Sequence, residues 1–118
     1  MSLIISKLKK DGDAGEEYLL LKATADIDIS SYAVVDRTYK NGQVSNIHKH
    51  FYHFPSKKVK KGEYVSLRTE KGKDETVDNL NLGVVHRFYW GSDASIWNDS
   101  EIEEAELLKI SSVATVKA

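Results

Sequence analysis

Short apolar runs rich in Val, Ile, Tyr and Phe alternate with turn signals along the chain, at the spacing of strands. Leu3–Leu8 reads as a first short strand, followed by a loop at Asp11-Gly12-Asp13-Ala14-Gly15. Glu17–Thr24 reads as a second strand, and its unbroken Leu19-Leu20-Leu21 run predicts burial on both faces. Ile27–Asp36 sets Ile27 and Ile29 two apart, ahead of Tyr32, Val34 and Val35, which predicts a third strand. Asn41-Gly42, between Lys40 and Gln43, is a hairpin signal because both residues tolerate positive φ. Ile47–Phe54 reads as a strand that Pro55 ends, since proline has no N–H for the ladder. Lys60-Lys61-Gly62 is a turn and Glu63–Thr69 another strand. Glu70–Asn79 reads as a polar loop, Val84–Trp90 as an aromatic-dense strand, and Ser95–Asn98 as a short apolar step carrying Trp97.

The segment Ser100–Ile110 fits two patterns. Ser100-Glu101-Ile102-Glu103 matches a helix capping box, and Ile102, Ala105 and Leu108 would form a weak helical stripe, so local signals lean to helix. The competing pattern is a strand through Ala105–Ile110 and another through Ser112–Val116. Seven or more short strands separated by turns favour an antiparallel β-sandwich.

Composition narrows the classes. A chain of 118 residues is expected to form one domain, residues 1–118, with a core that needs no staples. Lys plus Arg number 17 and Asp plus Glu 18, a net charge of -1, which excludes a histone-like polycation and leaves room for a local basic patch. The absence of Cys excludes disulfides, thiolate catalysis and cysteine-ligated zinc. Only three apolar residues follow Met1 before charge begins, so neither a signal peptide nor a membrane span is expected in this chain, which reads as cytoplasmic or as a domain of a larger protein.

The sharpest local feature is His48-Lys49-His50-Phe51-Tyr52-His53, followed by Lys57, Lys58, Lys60 and Lys61. This basic stretch would contact phosphates, with Phe51 and Tyr52 stacking on bases. Its bland alternative is a solvated strand and turn whose lysines discourage edge pairing. On a strand, His48 and His50 face one way and His53 the other; a metal site would need His86 from elsewhere, and no spacing supports one. The acidic residues Asp93, Asp99, Glu101, Glu103, Glu104 and Glu106 lack calcium-loop spacing and read as a solvated face, or as a partner for the lysine turn within one copy or between two, giving a homodimer. Phe88, Tyr89, Trp90 and Trp97 read as core ahead of a stacking platform. No nucleophile elbow, zinc-protease helix, P-loop or dinucleotide fingerprint is present, so neither an enzyme nor a cofactor is expected.

Taken in order, these segments resemble the lamin tail domain family, an immunoglobulin-like β-sandwich. Glu17-Tyr18-Leu19-Leu20-Leu21 stands where that family has an E-[WY]-[IV]-E-L-type strand. Asp28-Ile29-Ser30-Ser31-Tyr32-Ala33-Val34-Val35-Asp36 is similar to its D-[IL]-S-G-[WY]-x-[LIV]-x-D segment, with Ser31 in place of Gly. Tyr52-His53-Phe54-Pro55 and Lys61-Gly62-Glu63-Tyr64-Val65-Ser66-Leu67 resemble the next two. Trp97-Asn98-Asp99 resembles the opening of the last, in which Glu101-Ile102 replaces a Gly-Asp pair. The resemblance implies a strand through Ala105 and Leu107, against the local lean to helix. It also implies a non-catalytic interaction module, since the family carries no known catalytic residues and in nuclear lamins is linked to chromatin, DNA and proteins. The expected role is therefore contact with another protein. Nucleic-acid binding through His48, Lys49, His50, Lys57, Lys58, Lys60 and Lys61 is the alternative.

Overall fold

Apolar residues at alternate positions dictate which side of each strand turns inward, and among the described residues all the regular structure is β apart from one short 3₁₀ turn. The computed structural model describes residues 1–9, 15–40, 43–44, 50–97 and 103–118, with the backbone alone for 37–40, 43–44 and 103–104. The strands are β1 (Leu3–Lys9), β2 (Tyr18–Ala23), β3 (Ile27–Asp28), β4 (Tyr32–Lys40), β5 (Gln43–Val44), β6 (Phe51–His53), β7 (Lys58–Val59), β8 (Tyr64–Arg68), β9 (Glu75–Asn79), β10 (Gly83–Tyr89) and β11 (Glu103–Lys109). A five-stranded sheet runs β1-β2-β8-β10-β9, a second sheet runs β11-β4-β5 with β6 also on β4, and β3 pairs with β7. Among the described residues the pairings are antiparallel except that of β8 with β10.

One core joins the two larger sheets, as in a β-sandwich. Leu19, Leu21, Val65, Leu67 and Phe88 meet Tyr32, Val34, Phe54, Ile96 and Trp97. Leu19, Leu20 and Leu21 are all buried, as their unbroken run predicts. Ring pairs Phe54–Phe88 at 5.2 Å and Trp90–Trp97 at 5.6 Å, both edge-to-face, extend the core toward Tyr52.

The structure revises several sequence expectations. Ile27–Asp36 is not one strand: the Asp28 carboxylate accepts from the Ser30 N–H (3.0 Å) and caps a 3₁₀ turn at Ile29–Ser31. That turn moves the chain from the β7 partner to the β11 and β6 partners. Glu70–Asn79 is not loop throughout, because β9 pairs with β10 as an edge strand whose exposed face keeps it polar. The helical lean at Ser100–Ile110 gives way to strand β11, paired with β4 from Glu103↔Thr38 to Lys109↔Tyr32. This register lays Ala105 and Leu107, two apart, against the core. Ser112–Val116 forms no strand. Lys40 pairs with Gln43 as a hairpin requires, while Asn41 and Gly42 lie outside the described residues.

Candidate functional site

The basic stretch singled out in the sequence does not form one strip. His48 and Lys49 lie outside the described residues. His50 turns to the buried Asp36, its Nδ1 donating to Oδ2 at 3.0 Å while its own N–H donates to Oδ1. Tyr52 faces inward, 5.1 Å from the Phe54 ring and 5.8 Å from Trp90. Burial, with the charge of Asp74, pushes its hydroxyl up to about 12. Phe51 and His53 keep exposed rings, and His53 Nε2 donates to the Ser30 carbonyl.

Lys57, Lys58, Lys60 and Lys61 are exposed, but their backbone is held by acids. The Lys57 N–H donates to Asp28 (3.3 Å) and the Lys61 N–H to Asp26 (2.8 Å). The Ser30 N–H, with the Ser30 and Ser56 hydroxyls, also donates to Asp28, and these bonds hold its carboxyl well below the usual range. Lys58 and Lys60 thus share a groove of about 350 Å³ with Asp26 and Asp28. The mixed charge weakens the attraction for phosphate that the sequence alone implied.

A different surface collects the cations. On the five-stranded sheet the core-facing residues include Leu3, Leu8, Leu19, Leu21, Val65, Leu67 and Phe88. Their neighbours in sequence face outward. A register shift between Ile5 and Lys7 returns Leu8 to the core and sends Lys7 and Lys9 to the outer face, opposite Leu20 and Tyr18. The outer face then carries Lys7, Lys9, Lys22, Arg68 and Arg87 from four adjacent strands. Among the strand residues of that face, Glu75 is the single acid.

Tyrosines interleave with these cations. Lys9 Nζ lies 6.0 Å and Arg68 Cζ 5.5 Å from the centroid of Tyr18, and Lys22 Nζ lies 5.5 Å from that of Tyr64. Between Arg68 and Arg87 a depression of about 150 Å³ has Leu20, Ser66 and Val85 as its floor and Tyr18, Asn79 and Leu82 as its walls. Glu16, Glu70 and Glu75 reach Lys9 (3.4 Å), Arg68 (3.7 Å) and Arg87 (3.3 Å). Solvated pairs of this kind are weak and open at little cost. Tyr89 belongs to the same face, but its ring is covered by Gly72, where a Cβ would stand 2.4 Å from it.

Two further sites are structural. Glu17 is fully buried and accepts from Thr69 Oγ1 (2.7 Å), Ser95 Oγ, Ile96 N–H (2.8 Å) and Trp97 N–H (3.2 Å). His86 donates through Nε2 to Glu63 (2.9 Å), with Thr76 Oγ1 3.1 Å from Nδ1. That bond, aided by the Lys60 N–H, lowers the Glu63 carboxyl. His50 and His86 therefore point to separate carboxylates, and no group of three potential metal ligands gathers among the described residues. Asp93 pairs with Lys71 (2.8 Å) rather than with the lysine turn, whereas Asp99 and Glu101 lie outside the described residues.

A scan against protein-family models finds no match for this chain, and searches of curated proteins and of solved structures find none either.

Proposed function

We propose that the chain is a non-catalytic binding module that lays a single-stranded nucleic acid across the outer face of its five-stranded sheet. The observation that carries this reading is the register, which gathers five cations and the rings of Tyr18 and Tyr64 on one face. A single strand needs cations to follow its phosphates and flat rings to take its bases. Arg68 and Arg87, flanking the depression at Ser66, offer two planar forks suited to phosphate. The binding face thus moves from the His48–Lys61 stretch, where acids accompany the lysines, to β1, β2, β8 and β10.

The finer architecture we infer is immunoglobulin-like, of the lamin tail type. The matching segments support it, since Tyr18–Leu21 falls in β2, Asp28–Asp36 in the 3₁₀ cap and β4, and Tyr64–Leu67 in β8.

The test is fluorescence anisotropy of a labelled oligothymidine strand and of a duplex of equal length, titrated over a salt series. Micromolar binding of the strand is expected, tighter than that of the duplex. Its log–log salt slope should be about −2 to −3.5, the value for three to five neutralised phosphates. Lys22→Glu with Arg87→Glu should weaken binding at least about tenfold, since each lost phosphate contact removes part of that counterion term. The quadruple Lys57, Lys58, Lys60 and Lys61 change to Glu should leave it within about twofold. No binding at low salt, or loss only in the quadruple variant, overturns the proposal. The first of those outcomes returns the module to the protein-contacting role expected from the sequence.

A further inference from the structure

We propose that two copies of this chain associate by exchanging their C-terminal segments, Ser112–Val116 of one pairing with the free edge of β1 in the other. This edge borders the basic face, since β1 also carries Lys7 and Lys9, but the pairing does not depend on those cations. β1 and β11 end their respective sheets and run beside each other, leaving a mostly apolar seam of about 430 Å³ lined by Leu3, Ile4, Ile5, Ala105 and Leu107 together with Glu106. Ile4 and Ile5 remain 45% and 44% exposed, large values for neighbouring aliphatic residues on an edge strand.

The segment that fits this seam is already in the sequence. Ser112-Val113-Ala114-Thr115-Val116 has strand-forming residues and neither Gly nor Pro, yet it forms no strand and pairs with no strand among the described residues. Val113 and Val116 are 66% and 94% exposed. As a strand the segment turns one valine to each face, because side chains three apart point oppositely. β1 presents its isoleucines the same way, Ile5 inward opposite Leu21 and Ile4 outward opposite Lys22. Donor and acceptor therefore match on both faces.

The same chain is a poor donor to itself. The Ile110 N–H is tied to the Ser31 carbonyl at 2.7 Å, where β11 leaves its sheet. Turning back within Ser111-Ser112 would need a two-residue hairpin with positive φ, which favours Gly, Asn or Asp. A second copy meets no such constraint, and reciprocal exchange closes a twofold dimer. Each exchange extends the five-stranded sheet by one strand and covers the exposed edge of β1.

The test is the oligomeric state by sedimentation velocity across a concentration series. The intact chain should dimerise reversibly, and deletion of residues 111–118 should leave a monomer. Val116→Asp, at an exposed position where folding is safe, should move the dimer midpoint about tenfold higher, the effect of roughly 1.4 kcal/mol of lost apolar contact. Mixing the tail-deleted protein with an Ile5→Lys protein should restore a pair, since one keeps the acceptor edge and the other the donor. A monomer at every concentration, a dimer unaffected by the deletion, or no complementation on mixing would overturn the proposal.

Discussion

Glu17 has the most demanding environment of any single side chain. A carboxylate with no solvent access survives only if its acceptor sites are filled, and here two hydroxyls and two backbone N–H groups fill them. All four donors are neutral, so the group ties the start of β2 to the end of β8 and to the 95–97 bend without an ion pair. Glu17→Gln replaces one acceptor oxygen by a donor that faces other donors. It should cost about 2–4 kcal/mol, the price of buried groups left unpaired. Chemical denaturation of the two proteins would show it as a lower midpoint at equal slope. The sequence placed Glu17 at a strand start; only packing showed it to be interior. Glu63 makes a second residue-scale prediction. Its carboxyl is lowered by His86, so the stability it contributes is complete above the ordinary Glu value of about 4.3 and is lost as pH falls through the lowered one. In melting experiments the wild type should therefore lose Tm below about pH 4 more steeply than Glu63→Gln, the group titrating in one and not the other. Equal acid limbs in both proteins would contradict it.

Elements were legible where an apolar pattern met a local stop signal. β2, β8 and β10 carry Leu, Val, Phe and Tyr at the required positions, and Gly62 at φ 89° supplies the turn before β8 that few other residues tolerate. Three features escaped the pattern because their cause lies in a neighbouring element. The register shift in β1 follows from Leu8 seeking the core beside Leu19. β9 forms because β10 offers it a ladder, although its residues alone look like loop. β11 is a strand because β4 has a free edge, against its own capping-box signal. The segment before β9 is fixed by the approach of Gly72 to the Tyr89 ring, where a Cβ would lie 2.4–2.8 Å from three ring carbons. Gly72→Ala must move either the ring or the strand entry. About 1–3 kcal/mol of destabilisation is expected from such overpacking, measured as a drop in Tm.

At the scale of the whole molecule, a net charge of -1 conceals an uneven distribution. Cations from β1, β2, β8 and β10 converge on one sheet face, while β11, on the other sheet, carries Glu103, Glu104 and Glu106. A strand of nucleic acid approaching the basic face meets a field that the total charge does not predict. This is why salt dependence reads the proposal directly: a contact with bases or apolar groups alone would leave the slope near zero. The two proposed surfaces are also separable in one sample. Charge reversal at Lys22 and Arg87 should change ligand binding without changing sedimentation, and deletion of 111–118 should do the converse.

The sequence by itself determined that the chain is built mainly of β-strands, where most of them run and most of the residues that enter the core. Those properties follow from period-two patterning and turn chemistry, which act within a few residues. Only the tertiary structure decided which side chains share a surface. His50 and Tyr52 are adjacent to the lysine turn in sequence, yet their partners are Asp36, Phe54 and Trp90. Lys9, Lys22, Arg68 and Arg87 are scattered over the chain, yet they meet on one face. The difference is physical: core membership depends on a residue's own hydrophobicity, whereas a binding face depends on strand order and register, and a shift of one residue reverses it.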